Sequence, residues 1–157
     1  MKLLTTKIIK ILKRKKLKIS FAESCSGGLI SSTFTSVKGS SKVFTCGLVT
    51  YSNDSKINVL KVPKKIIKIY GAVSKQCCAS MVTNLYNISK SSICLSTTGI
   101  AGPAGGTKKK PVGLVYVGLS NKKKVRIIEF KFKNKGRNYI QKTTVNESLK
   151  LILNSIK

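Results

Sequence analysis

The regular alternation of two hydrophobic periods along the chain constrains the fold more than any other feature of the sequence. Segments with apolar residues at helical spacing alternate with short apolar runs that end in turn residues. The pattern predicts helices at 3–16, after the turn at 23–28 up to about 37, at 54–60, around 64–69, at 75–88 and at 138–155. It predicts strands at 17–23, 43–51, 92–98, 112–119 and 125–132, and we expect the strand at 43–51 to be buried.

The last two predicted strands lie on either side of the polar segment 121–124, which is typical of a hairpin. Alternating helices and strands, with one hairpin late in the chain, predict an α/β layered domain with a mixed sheet. A length of 157 residues suits one domain over 1–157, with a core large enough to need no disulfide bonds.

Histidine is absent, and only four residues are acidic, namely Glu23, Asp54, Glu129 and Glu147. The chain therefore cannot build a Ser-His-Asp triad, a Cys-His dyad or a histidine-ligated zinc site. So few carboxylates also disfavour a two-carboxylate glycosidase and a carboxylate metal site, so no metal is expected. Any catalysis has to use Ser, Thr, Tyr, Lys, Cys or backbone groups.

The net charge is +27, and 28 of the 31 basic residues are lysines spread along the whole chain. A protein that grips nucleic-acid phosphates usually carries more arginine, and the aromatic residues that stack on bases make up only 6% here. We therefore interpret the charge as a compositional bias that leaves most lysines in solvent. We expect no binding of nucleic acid beyond nonspecific attraction.

The five cysteines are odd in number, have no C-x-x-C spacing and follow no apolar signal region. This usage predicts reduced thiols and a cytoplasmic protein. No apolar run approaches the length of a membrane span, so no membrane partner is expected.

Three loops each follow a predicted strand, which is where open α/β sheets bind ligands. The first, 22–28, puts two serines and two glycines at a strand-to-helix turn, and the second, 50–56, carries Tyr51 and Lys56. The third, 98–107, is rich in glycine and offers backbone N–H groups to an anion. Taken one at a time, each loop also has a structural explanation, since serines cap helices and lysines are exposed throughout this chain.

Without histidine, a serine nucleophile needs another base, and a neutral lysine can serve. Lys56 is predicted in the first turn of the helix that follows a cap at Asn53, where the positive end of the helix would lower its pKa. Tyr51 could relay a proton or hold the lysine in place.

Six motifs occur in one order along nearly the whole chain. They are Ala-Glu-Ser-Cys-Ser-Gly-Gly (22–28), Gly-Ser-Ser (39–41), Val-Thr-Tyr-Ser-Asn-x-x-Lys (49–56), Gly-Ala-Val-Ser (71–74), Thr-Gly-Ile-Ala-Gly-Pro-x-Gly-Gly (98–106) and Lys-Pro-Val-Gly (110–113). Together they closely resemble the CinA C-terminal domain family, the nicotinamide-nucleotide amidohydrolases or NMN deamidases. The resemblance implies a three-layer α/β/α sandwich with a mixed sheet. It also implies the stand-alone form, because the chain is too short for the N-terminal molybdopterin-binding-like domain of larger members.

The resemblance implies hydrolysis of the carboxamide of nicotinamide mononucleotide to nicotinate mononucleotide and ammonia, in the recycling of NAD and without a cofactor. It assigns Ser24 as the nucleophile and Lys56, assisted by Tyr51, as the group that takes the serine proton. Implied substrate-binding residues are Ser26, Gly27 and Gly28 for the oxyanion, Thr98, Gly99, Ala101 and Gly102 against the nucleotide, and Arg137 for its phosphate.

The chain departs from the family pattern before its last helix. Lys135-Gly-Arg137 stands where the family often has Gly-Asp-Arg, and Gln141 stands where it has a second arginine. We expect Glu23 to have a structural role and Cys25 to be a buried packing thiol. Two other functions stay open at this point, a non-catalytic competence- or damage-related interaction module and a basic nucleic-acid-binding protein. Small α/β domains often complete their sites with a homodimer partner, so a homodimer also stays open at this point.

Overall fold

Alternating helices and strands build an α/β fold in the computed structural model, which describes residues 1–121 and 124–157. The strands are β1 (Ile19–Glu23), β2 (Phe44–Val49), β3 (Ile93–Gly99), β4 (Leu114–Asn121) and β5 (Lys124–Lys131). The helices are α1 (Lys2–Arg14), α2 (Leu29–Thr35), α3 (Asn53–Asn58), α4 (Lys64–Tyr70), α5 (Lys75–Ser89) and α6 (Arg137–Ile156). A short 3-10 turn at Ser40–Lys42, which the sequence pattern did not predict, precedes β2.

The described strands form one mixed sheet in the order β2-β1-β3-β4-β5. β1 is parallel to both β2 and β3, whereas β3–β4 and β4–β5 are antiparallel pairs. The pairing of β4 with β5 confirms the predicted hairpin partners. Lys122 and Lys123 of the predicted hairpin turn lie outside the described residues.

The sheet has an apolar core on each face, because successive residues of a strand point to opposite sides. Phe21 and Leu95 pack with α1, α2 and α6 on one face. Their neighbours Ala22 and Cys94 pack with α5 on the other face. The arrangement confirms the three-layer α/β/α prediction.

The prediction that 43–51 forms a buried strand was wrong. β2 lies at the edge of the sheet, and its residues alternate between half-buried and exposed. Its apolar composition resembles that of a central strand, but a strand that pairs on one side only is covered less completely. Local sequence does not reveal which strands lie at the edges.

The carboxyl ends of β1, β2 and β3 meet at one place. Glu23 is in register with Val49 of β2 and with Thr97 of β3. The loops that follow these three parallel strands therefore lie side by side at the same edge of the sheet, where α/β folds bind ligands. None of the helices in the described part of the chain is both long and apolar enough to cross a bilayer.

Candidate active site

Ser24 is the first residue beyond β1 and lies at the junction of the three loops. Its N–H donates to the Thr97 carbonyl at 3.0 Å, which continues the hydrogen-bond ladder between β1 and β3. Only 7% of Ser24 is exposed. Its position at a strand-to-helix turn agrees with the arrangement that the sequence predicts.

Glu23, which precedes Ser24, is fully buried and holds the start of α2. Its carboxylate accepts the N–H groups of Gly28, Ile30 and Ser31 at 2.8 to 3.0 Å, and the Ser31 hydroxyl at 2.7 Å. These bonds satisfy donors that the first turn of a helix otherwise leaves unpaired. The structural role expected for Glu23 is therefore confirmed, and it fixes the turn that carries Ser24.

Lys56 is only 1% exposed, and its amine reaches Ser24. The Nζ atom lies 3.0 Å from the Ser24 Oγ, 2.9 Å from the Thr50 carbonyl and 3.0 Å from the Tyr51 carbonyl. The helix that carries it, α3, is capped by Ser52, whose hydroxyl accepts the Ser55 N–H, and not by Asn53 as predicted. The short helix and the preceding loop thus fold back on the buried amine.

Burial lowers the pKa of Lys56 from its ordinary value of 10.5, because the charged ammonium loses its water. Among the described residues, no carboxylate forms a salt bridge with it. The neutral amine can donate its two N–H groups to the Thr50 and Tyr51 carbonyls, which leaves its lone pair for the Ser24 hydroxyl. The geometry therefore suits a base that removes the serine proton.

Tyr51 contacts Lys56 through its backbone, whereas its side chain turns elsewhere. Tyr51 is 57% exposed, and its phenol oxygen accepts a hydrogen bond from Arg137 Nη2 at 2.6 Å. Arg137 also donates through Nη1 to the Gly102 carbonyl at 2.9 Å. Arg137 therefore ties the tyrosine side chain to the glycine-rich loop, and the structure brings the phenol to Arg137 rather than to the lysine amine.

These groups surround a cleft of about 240 Å³. Most of the residues proposed from the sequence line it, namely Ser24, Tyr51, Lys56, Thr98, Gly99, Ala101, Gly102 and Arg137. Ser26, Gly27 and Gly28 are not among the lining residues. In the described part of the chain, no group of three His, Cys, Asp or Glu side chains is arranged to hold a metal ion.

Most polar groups of the turn 24–28 form hydrogen bonds within the protein. The Ser26 hydroxyl bonds the Thr97 hydroxyl at 2.8 Å, the Gly27 N–H donates to the Ser24 carbonyl at 3.0 Å, and the Gly28 N–H donates to Glu23. Gly27 and Gly28 have φ angles of +62° and +93°, which favour glycine. Among residues 1–121 and 124–157, the N–H groups of Cys25 and Ser26 donate to no acceptor. Cys25 lines the cleft, whereas Ser26 is fully buried and does not, so Cys25 rather than the glycines offers a free donor beside Ser24.

The loop after β3 is packed closely against its neighbours. The Thr98 hydroxyl donates to the Ala72 carbonyl at 2.8 Å. At Gly99 a side chain would come within 2.7 Å of the Leu114 carbonyl oxygen, so only glycine fits. The loop is therefore held in place at two of the positions where it lines the cleft.

The family model described as CinA C-terminal domain matches residues 1–156. The chain belongs to the CinA C-terminal domain family. The CinA-like protein of Dictyoglomus thermophilum is 53% identical over 112 residues, which are 71% of this chain and 27% of that protein. The CinA-like protein of Endomicrobium trichonymphae is 46% identical over 143 residues, which are 91% of this chain and 33% of that protein. The chain spans about a third of the length of the curated relatives that it matches.

A solved structure described as the competence/damage inducible protein CihA from Agrobacterium tumefaciens superimposes with a TM-score of 0.96 at 36% identity. The match covers 99% of this chain and 95% of that chain. The two chains therefore share one fold over nearly their whole length. The resemblance found in the sequence motifs is confirmed for the family and for the fold.

Cys25 follows Ser24 in this CinA-family turn but has a different environment. Burial raises the pKa of its thiol to about 12, and only 5% of the residue is exposed. A thiol that stays protonated is a poor nucleophile, since the thiolate is the reactive form. Its place in the apolar core agrees with the expected packing role.

Sequence reasoning noted Gln141 only as a departure from the family pattern. Its Nε2 donates to the Cys25 carbonyl at 2.9 Å, so α6 contacts the turn that carries Ser24. The available signal was spacing, because Gln141 lies four residues after Arg137 and hence on the same face of α6.

Proposed function

We propose that this CinA-family chain is an amidohydrolase that converts nicotinamide mononucleotide and water to nicotinate mononucleotide and ammonia, in the recycling of pyridine nucleotides. The observation that carries the proposal is the buried Lys56 amine, which lies 3.0 Å from the Ser24 hydroxyl and forms no salt bridge with a carboxylate of the described residues. A serine and a lysine in hydrogen-bond contact form a nucleophile and base pair that needs no histidine.

In the first step the Ser24 Oγ attacks the carboxamide carbon and forms a C–O bond. The serine proton moves to the neutral Lys56 Nζ, and the electron pair of the carbonyl moves onto its oxygen. The N–H group of Cys25, which has no acceptor in the described part of the chain and belongs to a residue that lines the cleft, is the donor that we assign to this oxyanion. Fixed donors aimed at developing charge make a large contribution to amide hydrolysis.

In the second step the tetrahedral intermediate collapses and its C–N bond breaks. The Lys56 ammonium returns its proton to the leaving nitrogen, which departs as ammonia and leaves the acyl group on Ser24. Water then attacks this ester, Lys56 takes a proton from the water, and that proton returns to the Ser24 oxygen as the carboxylic acid is released. The Thr50 and Tyr51 carbonyls hold the amine in position throughout.

Arg137 indicates that the substrate is an anion. Its guanidinium lines the cleft and is held between Tyr51 and Gly102 at 2.6 and 2.9 Å. A planar guanidinium forms strong paired hydrogen bonds to phosphate, so we assign Arg137 to the nucleotide phosphate. Tyr51 then acts through Arg137, and the backbone of Thr98 to Gly102 borders the rest of the nucleotide.

The experiment incubates the purified chain with nicotinamide mononucleotide and measures ammonia and nicotinate mononucleotide together. The wild type is expected to release both in equal amounts. Ser24→Ala is expected to lower kcat by about 10³-fold or more, because the nucleophile is gone. Ser32→Ala, at an exposed serine of the same helix region, is the matched control and is expected to keep full activity. No turnover by the wild type, or equal turnover by Ser24→Ala, contradicts the proposal.

A further inference from the structure

Asn53 lines the cleft, and the mechanism proposed above gives it no role. The sequence pattern predicts its side chain as the cap of α3, but the Ser52 hydroxyl takes that place by accepting the Ser55 N–H at 3.0 Å. Asn53 is exposed, and its amide bonds no other group among residues 1–121 and 124–157. One carbonyl oxygen and two N–H groups are therefore available to a ligand in the cleft.

The other polar side chains of the cleft are already bonded to the protein. Their hydroxyl, phenol, amine and guanidinium groups each have a protein partner, as described above for Ser24, Tyr51, Lys56, Thr98 and Arg137. Within the part of the chain that the structure describes, the Asn53 amide differs from all of these groups. It can bind a ligand without first breaking a hydrogen bond inside the protein.

Asn53 lies close to the end of the cleft that we assign to the phosphate. Ser52 has an extended backbone, with φ −81° and ψ 163°, and the side chains on either side of an extended residue point to the same side. Tyr51 and Asn53 accordingly both line the cleft, and Ser52 does not. The Tyr51 phenol accepts the hydrogen bond from Arg137 at 2.6 Å, so Asn53 neighbours the pair that binds the phosphate in our proposal.

Asn53 also lies close to the reacting groups. Lys56 follows three residues later, on the same face of α3. Its side chain folds back to the start of the helix, where Nζ lies 3.0 Å from the Tyr51 carbonyl and 3.5 Å from the Ser52 carbonyl. Because Asn53 directly follows these two carbonyls, a ligand that extends from the amine to the guanidinium has its middle part beside Asn53.

We propose that Asn53 binds the ribose hydroxyls of the substrate and makes the site specific for a ribosylated amide. The inference rests on the proposed function for the identity of the nucleotide, whose ribose joins the ring that carries the carboxamide to the phosphate. Each hydroxyl of a vicinal diol both donates and accepts. The Asn53 Oδ1 therefore accepts from one hydroxyl while Nδ2 donates to the other. A free amide without the sugar leaves Asn53 in water and gains neither bond.

The experiment compares nicotinamide mononucleotide with its 2′,3′-dideoxy analogue, which keeps the amide and the phosphate and lacks both hydroxyls. Calorimetry measures both dissociation constants in chains that carry Ser24→Ala, so that no turnover interferes. Asn53→Ala removes the amide, and Asn53→Asp keeps oxygen acceptors for the diol. Asn58→Ala, at an exposed asparagine of the same helix that does not line the cleft, is the matched control. Ammonia release by the wild type is measured separately.

Asn53→Ala is expected to raise the dissociation constant of nicotinamide mononucleotide about tenfold, the size of two neutral hydrogen bonds, and that of the dideoxy analogue less than about twofold. Asn53→Asp is expected to retain the preference for the hydroxylated nucleotide within about threefold, and Asn58→Ala to match its parent. A general distortion of the cleft weakens both nucleotides equally. Equal losses for the two nucleotides in Asn53→Ala therefore overturn the inference, as do an unchanged preference in Asn53→Ala and a preference lost equally in Asn53→Asp.

The two measurements separate this inference from the proposed function. A wild type that releases no ammonia, with a preference for the ribose hydroxyls that still depends on Asn53, overturns the proposed reaction and supports the inference. Ammonia release without such a preference overturns the inference alone. Chains that bind neither nucleotide also overturn the inference.

Discussion

Two lysines at opposite ends of the sheet make the same hydrogen bond in different surroundings. Lys18 lies before β1, and its Nζ donates to the Lys42 carbonyl at 2.8 Å. Lys56 lies beyond the carboxyl ends of the strands, and its Nζ donates to the Thr50 carbonyl at 2.9 Å. Lys18 is exposed beside a hollow of about 340 Å³ that other lysines line, whereas Lys56 is 1% exposed. The carbonyl bond is common to both, so it does not distinguish a base from a surface cation.

The two lysines differ in their burial and in the contact that Lys56 makes with Ser24. Water solvates the Lys18 ammonium, while the Lys56 ammonium has exchanged water for a few protein oxygens, and this lowers the pKa of Lys56. Only the buried lysine of this pair contacts a hydroxyl that borders a cleft. In a chain of net charge +27, burial from solvent therefore distinguishes the candidate base from the other lysines, and the local density of charge does not.

The comparison is tested most strongly by exchanging each lysine for arginine. Lys56→Arg is expected to lower kcat by about 10²- to 10⁴-fold, because a guanidinium stays charged and cannot accept the Ser24 proton. Lys18→Arg is expected to remain within about twofold of the wild type, because an exposed cation replaces another. Steady-state kinetics with nicotinamide mononucleotide measure both. Comparable losses in the two variants, or none in either, would remove the distinction between the two sites.

A smaller effect is expected at Tyr51, whose phenol bonds Arg137 while its carbonyl bonds Lys56. Tyr51→Phe keeps the carbonyl and loses the phenol, so KM is expected to rise by about tenfold with kcat within about threefold, the size of one hydrogen bond to a charged group. Tyr139→Phe, at another exposed tyrosine, is the control and should change neither constant. A fall in kcat at constant KM would instead place the phenol in the proton transfer that the family resemblance implies.

Much of the fold could be predicted because hydrophobic periodicity is local. The order of helices and strands and the pairing of β4 with β5 follow from it. The edge position of β2 could not be predicted, because the order of strands in a sheet depends on contacts between distant segments. The cap of α3 was also predicted wrongly, at Asn53 instead of Ser52, because either side chain suits a helix start.

The candidate site was predicted mainly by its ordered motifs. From local pattern alone, Lys56 is one of 28 lysines, and its contact with Ser24 arises only because β1 and β2 are adjacent and parallel. The hydrogen bond from Gln141 to Cys25 joins residues 116 positions apart, and no local pattern indicates it. The role first expected of the Gly27 and Gly28 N–H groups depended on hydrogen-bond partners that only the folded turn supplies.

The central claim is that burial makes the Lys56 amine a base for Ser24, and a direct titration tests it. The protein is labelled with ¹³C at the lysine Cε, the Lys56 signal is assigned by its loss in Lys56→Arg, and its chemical shift is followed against pH. A midpoint below 10.5 is expected, and kcat/KM should rise with pH through that midpoint as the neutral amine forms. A midpoint at or above 10.5, or a rate that falls as Lys56 loses its proton, would contradict the account.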